Sequence, residues 1–436
     1  MHKSVQKKFI ASFFSSLVAL SGATTAFAQS PPADAPPADS AVPPGGTNPT
    51  DPVVAADATA DNSIGDTAVP VAATRPEPPA PQPAPEPAAP APNPLSITGY
   101  VQGELHLQDP FNGEDNADGA ANRDLFQIRR GRVKIMYTYR LAELMVELDI
   151  TNRGVGMKGA EVTLVLPWTD DVRSRLSVGL FEIPFGVDNL YSSSRRYFPE
   201  YSLLVRRFFP GERDLGAQLQ GELMDSHLRY QLAILNGNPL SDALFPSSDG
   251  NGWKDIAGRI GGVAGPLAFG VSGYYGRGYI DGFTDDPTTT TVNESTAHFE
   301  FTRYALGVDA RLTTPIDGLG MLDIYGEFAY AQNMDRASRG SYPQPVVGMM
   351  GGFGNTVQDA HQLAWYVAAT QNLSDLVGVG VRAEQFDPNT STDGNTITGF
   401  TLAGLLFPTE NTRLTLSYFV SKQVPDEAWL RLQVKF

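Results

Sequence analysis

The sequence predicts an all-β fold, a transmembrane antiparallel β-barrel of about 16 strands preceded by a disordered Pro/Ala-rich N-terminal segment. Three observations predict it. Apolar and polar residues alternate with period two along short segments from Leu95 onward, the connections between those segments alternate between short and long, and the composition changes abruptly near position 94. The 436 residues contain no Cys, and 48 acidic against 32 basic side chains give a net charge of −16. That balance argues against a nucleic-acid partner, which needs a basic footprint. Without Cys there is no disulfide scaffold, thiolate metal site or Cys nucleophile. A hydrophobic fraction of 42% with one extended apolar run does not describe a bundle of membrane helices.

Residues 1–28 carry Lys3, Lys7 and Lys8, the apolar run 9–20 and the small-x-small triplet Ala26-Phe27-Ala28. This is the order of a secretory signal, expected to be cleaved after Ala28, and the run is too short to span a bilayer. Residues 29–94 hold 19 of the 34 prolines. A segment of this composition cannot bury enough apolar surface to offset its ordering entropy, so it is expected to be a disordered periplasmic linker. Over 76–94 it should favour polyproline II at about 3.1 Å per residue, a semi-rigid tether with a possible peptidoglycan contact.

Residues 95–436 are expected to form the barrel. The closing segment shows the pattern most plainly, with Trp429, Arg431, Gln433 and Lys435 alternating against Leu430, Leu432, Val434 and Phe436. Comparable segments lie at 95–108, 125–139, 142–152, 157–166, 173–183, 214–223, 227–236 and 255–263. Seven more, at 266–276, 297–312, 320–331, 361–373, 376–386, 395–406 and 412–420, precede the last at 428–436. Short connections at 140–141, 167–172, 224–226, 264–265, 313–319, 374–375 and 407–411 alternate with mostly longer ones at 109–124, 184–213, 237–254, 277–296 and 332–360. Short turns on one rim and long loops on the other are the plan of an outer-membrane barrel, and an even strand number puts both chain ends on the short-turn, periplasmic side. Phe436 is in phase with the apolar face, as the terminal residue of such a barrel is.

If the apolar face meets lipid, the other face meets water. Val133, Ile135, Tyr137 and Tyr139 then face out, and Arg130, Arg132 and Lys134 face in. A two-residue turn at Arg140-Leu141 pairs Tyr139 with Ala142, setting Lys134 opposite Glu147 and Arg132 opposite Asp149 as lumenal ion pairs. The connection 184–213 concentrates Arg195, Arg196, Arg206, Arg207 and Arg213 among aromatics. Folded into the lumen, it would narrow the pore and offer guanidinium groups to a passing anion. Together with Arg130, Arg132 and Lys134, these are the expected channel-lining, anion-binding residues. A weakly selective pore is expected instead if Glu147, Asp149, Glu182 and Glu327 dominate the narrowest point.

Enzymatic constellations are absent. Glu114, Asp115, Asn116, Asp118 and Gly119 have the spacing of a calcium loop, but its twelfth position is Leu125, which cannot coordinate. His106, His227, His298 and His361 are isolated in sequence, and no nucleophile elbow is present. No catalytic residue, metal or bound cofactor is expected.

The stretches FQIRRGRVKIMY (126–137), VGLFEIPFGVDNLYSSS (178–194), FFPGERDLGAQLQGEL (208–223) and LAILNGNP (232–239) occur in order with DIAGRIGG (255–262) and VRAEQFDP (381–388). With the closing NTRLTLSYF and WLRLQVKF, they cover the barrel and none of the linker, and they resemble the phosphate-selective porin O/P family of Gram-negative outer membranes. The resemblance implies a sixteen-stranded barrel, a homotrimer in outer-membrane lipid, and basic residues lining a channel for small anions, phosphate or polyphosphate among them. The alternative function is a structural anchor joining the barrel to the cell wall through the linker.

Overall fold

The computed structural model describes residues 94–108, 124–152, 154–169, 172–224, 227–237, 252–281, 298–334 and 359–436. The signal segment 1–28, the Pro/Ala-rich segment as far as residue 93, the acidic run 114–119 and most of the connections expected at 237–254, 277–296 and 332–360 lie outside the described residues. The elements in chain order are β1 (Leu95–Gln108), β2 (Leu125–Tyr139), β3 (Ala142–Thr151), β4 (Gly154–Thr169), β5 (Val172–Glu182), α1 (Leu203–Phe208), β6 (Arg213–Leu223), β7 (Leu228–Leu235) and β8 (Asp255–Ala264). They continue with β9 (Leu267–Asp281), β10 (His298–Ile316), β11 (Gly320–Gln332), β12 (His361–Asn372), β13 (Val377–Asp387), β14 (Ile397–Thr409), β15 (Thr412–Ser421) and β16 (Glu427–Lys435).

Every strand pairs antiparallel with its sequence neighbours, and β16 closes on β1, so the sheet has no free edge. At the seam Val101 lies opposite Val434 and Gln102 opposite Gln433, and Phe436 and Gly99 exchange two backbone hydrogen bonds of 3.0 Å. The Phe436 ring lies over Gly99, where a Cβ would stand 2.5 Å from it.

The period-two pattern sorts the side chains between two surfaces. Val162, Val178, Ile234, Val271 and Leu306 on the outer face are all more than half exposed. That apolar belt is the surface a lipid bilayer covers. At the tight β2–β3 and β8–β9 turns Arg140 and Gly265 take φ of 53° and 59°; glycine adopts this conformation freely, whereas Arg140 bears its cost. Several strands outrun the sequence expectation. β10 continues to Ile316 because its hydrogen-bond ladder with β11 runs on, through Thr314↔Leu322 to Ile316↔Gly320, after the alternation has faded.

The β1–β2 ladder contains one irregularity. Gln102 pairs with Arg130 but Gly103 pairs with Ile128, leaving Arg129 as an extra residue on β2. A bulge of this kind re-aims side chains, and here it turns the consecutive residues Arg129 and Arg130 both inward, which strict alternation forbids.

Candidate functional site

The connection 183–212 between β5 and β6 lies inside the barrel, where its side chains meet the inward residues of β1, β2, β9, β11, β12, β13 and β16. An apolar surface supplies part of the reason. Ile183, Phe185, Leu203, Leu204, Val205, Phe208 and Phe209 are buried in one cluster with Ala233, Ala257, Ala305, Ala329, Ala331 and Ala364 on the wall. Small wall residues make room for large loop ones: a Cβ on Gly307 would stand 2.7 Å from the Phe185 ring. Phe208 meets Phe386 edge-on at 6.0 Å, and Phe209 meets Tyr274 at 5.8 Å. Within this connection α1 is a helix of under two turns, capped by Ser202, whose Oγ accepts from the Val205 N–H.

Polar wall side chains bind the loop backbone directly and satisfy the N–H groups of Gly186, Val187, Asp188 and Leu203. Glu327 Oε1 accepts from the Val187 and Asp188 N–H groups at 2.6 and 2.5 Å, and from the Tyr366 hydroxyl at 2.9 Å. Glu384 accepts from Leu203 N–H at 2.6 Å, and Ser272 Oγ from Gly186 N–H at 3.0 Å. Donors face the loop carbonyls: Arg431 to Pro199 at 2.6 Å, Arg382 to Glu200 at 3.0 Å, and Gln433 to Ser194 at 3.0 Å. The loop is thereby held at both its apolar and its polar contacts.

The expected site residues divide by what they touch. The β2–β3 register is as expected, with Lys134 opposite Glu147 and Arg132 opposite Asp149. The short ionic contact is diagonal, however. Arg132 reaches Glu147 at 2.9 Å and stands 3.7 Å from Asp149, whose other oxygen accepts from Gly131 N–H at 3.1 Å. Arg213 joins the group from β6, 2.5 Å from Glu182 and 3.9 Å from Glu147. Arg196 is buried, donates to Tyr191 O at 2.8 Å, stands 3.5 Å from Asp188, and lies 3.4 Å over the Tyr201 ring. Arg206 is half-buried, 4.0 Å from Glu384, and Arg207 lies over the Phe386 ring at 5.6 Å. Arg195 is exposed and makes no ion pair among the described residues. The four loop arginines and Arg213 on β6 are thus spread over separate contacts and do not form one cluster.

Arg130 belongs to a group with Arg129 and Arg431, neither of which is among the expected anion-binding residues. Glu200 on the loop is held by Arg129 through two hydrogen bonds of 2.9 and 2.8 Å, by Arg431 at 3.0 Å and by Arg130 at 3.5 Å. Burial opposes ionisation of Glu200, but Arg129, Arg130 and Arg431 outweigh it and hold the carboxyl well below the usual carboxylate range. Glu212 is likewise opposed by burial and, through Lys158, Arg132, Arg130 and Arg213, is pulled down to about 2. Arg431 was legible as a member of the wet face of the last strand; Arg129 was not, because only the bulge turns it inward.

Among the described residues no group of His, Asp and Glu side chains is arranged to hold a metal ion. The described geometry is one of paired guanidinium and carboxylate groups on the inner wall of a closed barrel, crossed by a loop fixed to that wall. This defines the class of fold, a sixteen-stranded antiparallel barrel with an inward-folded connection between its fifth and sixth strands.

No family model matches the sequence, and no curated protein matches it either. Solved structures do resemble it. OmpT, an outer membrane protein of Vibrio cholerae in its trimer form, superposes with a TM-score of 0.52 at 14% identity, covering 78% of this chain and 99% of that one. The outer membrane channel DcaP of Acinetobacter baumannii gives 0.51 at 10% identity, over 78% of this chain and 97% of that one. An anion-selective porin from Comamonas acidovorans gives 0.50 at 12% identity, over 78% and 99%. At these identities the likeness is one of fold.

Proposed function

We propose that this chain is an outer-membrane porin through which small hydrophilic anions diffuse passively, and that it is a channel, not an enzyme. The observation that carries the reading is the inward-folded loop 183–212, fastened to the inner wall by apolar and polar contacts while the outer wall exposes apolar side chains. A loop held in this way supports a constriction of fixed shape, and selectivity in such a pore comes from the charges around its narrowest point. The fold likeness to a channel and to an anion-selective porin supports the same reading, and the trimer form of OmpT supports a homotrimer. Within the reading, residues 1–28 are a signal cleaved after Ala28, residues 29–94 a periplasmic linker, and phosphate is one candidate solute, as the resemblance to the O/P porins implies.

One observation favours weak selectivity within that function. Arg132, Arg196 and Arg213 each have a carboxylate within 4 Å, so part of the basic lining is neutralised locally. Reversal potentials of the purified protein in a planar bilayer under a salt gradient decide the matter. Anion selectivity that falls in an Arg195→Gln variant supports the proposal. Cation selectivity refutes the anion channel, and no conductance in any folded preparation points to the structural anchor.

A further inference from the structure

We infer that Glu200 is a tethered occupant of an anion cradle built on the lumen wall by Arg129, Arg130 and Arg431, and that it weakens the grip of this cradle on polyvalent oxyanions. The inference rests on the channel reading and deepens it.

Three features of the geometry carry it. The bulge at Arg129 places two consecutive guanidinium groups on the lumen side of one strand, and β16 adds a third from across the barrel seam. The two hydrogen bonds from Arg129 Nε and Nη2, one to each oxygen of Glu200, are the fork by which arginine holds a carboxylate or a phosphate. Glu200 is also fixed in place by its backbone, because Arg431 binds the carbonyl of Pro199 and Arg382 that of Glu200 itself. The carboxylate is thus delivered to the arginines by the loop, much as a free anion would be delivered by diffusion.

Charge and access agree with this role. Glu104 takes a second share of Arg431, at 2.7 Å from its Nε, so two carboxylates face three guanidinium groups. The Arg129 side chain is 37% exposed and that of Glu200 14%, against 3% for Arg130 and Arg431. The cradle therefore opens on the Arg129 side. A channel site must bind strongly enough to admit an ion and weakly enough to release it. Three arginines facing Glu104 alone would retain a polyvalent oxyanion, and Glu200 lowers that retention while preserving the positive excess.

The test uses the full chain in planar bilayers, with inorganic pyrophosphate titrated against the chloride current. It is paired with calorimetry of pyrophosphate binding to the detergent-solubilised protein, which does not depend on conduction. Glu200→Gln keeps the shape and removes the charge; half-block is expected at a concentration about tenfold lower than in the wild type, with a matching gain in calorimetric affinity. Adding Arg129→Gln should abolish that gain. An unchanged pyrophosphate affinity in folded Glu200→Gln, or a gain that survives Arg129→Gln, overturns the inference. Should Glu200→Gln fail to fold, Arg129→Gln alone decides: it should weaken pyrophosphate binding relative to the wild type, and an unchanged affinity refutes the cradle. If no preparation conducts, the channel reading fails, while calorimetry still decides the cradle.

Discussion

Glu327 offers a test of how the loop is held, because its two oxygens have opposite circumstances. Oε1 accepts three hydrogen bonds, from Val187 N–H, Asp188 N–H and the Tyr366 hydroxyl. Oε2 is buried with no hydrogen-bond partner among the described residues. Truncation by Glu327→Ala strands three donors in a buried place, at about 1–3 kcal/mol each, so about 3–9 kcal/mol of local hold is lost. Glu327→Gln keeps the accepting oxygen and replaces the unpartnered one with an amide. The three hydrogen bonds to Oε1 are kept, so its expected cost is well below that of the alanine variant. The two variants should therefore separate cleanly. In Glu327→Ala the stretch near 186–191 becomes cleavable by protease in detergent and single-channel conductance becomes noisy or rises, with the barrel still folded by its electrophoretic mobility. Glu327→Gln should behave as wild type in both assays. An alanine variant with a protected loop and unaltered conductance would refute the tether, and a glutamine variant as loose as alanine would refute the assignment of the hold to Oε1.

Further expectations test other contacts. Gly186 has φ of 65°, and a Cβ there would lie 2.2 Å from Glu327 Oε2, so Gly186→Ala should loosen the same stretch in the protease assay even though Glu327 is intact. Phe208→Ala removes a fully buried ring facing Phe386 and should cost the loop anchor about 3–5 kcal/mol, read as faster hydrogen exchange over 203–213 with the strands unchanged. Acid should act in the same direction. Because the folded-state values of Glu200 and Glu212 are depressed, their contribution is present above the unfolded carboxyl value of about 4.3. It is lost as pH falls toward about 2 for Glu212, so pepsin should cut the loop increasingly between about pH 4 and pH 2; resistance that stays flat across that window would refute the ion-pair account. At the seam, Gly99→Val should displace the Phe436 ring and lower the refolding yield of the barrel, whereas the same change at Gly103, where a Cβ meets nothing within 4 Å, should not.

The period-two alternation was enough to read the sixteen strands, their order and the β2–β3 register from sequence, because on each strand one face meets lipid and the other the lumen, so a one-residue slip would invert both. The inward direction of Arg130, Arg132 and Arg431 follows from the same parity. The inward course of 183–212 was expected only as a possibility, and no local signal encodes it. It depends on alanines and carboxylates contributed by strands as far apart as β7 and β13, which only closure of the barrel brings within reach. The tertiary structure alone also decided the ionic partners. Arg132 takes Glu147 on the diagonal because side-chain reach, not strand register, selects among neighbours in a crowded lumen. Arg129 turns inward because a single extra residue interrupts the pairing of β2 with β1, and a bulge is a property of two strands together that neither sequence carries by itself.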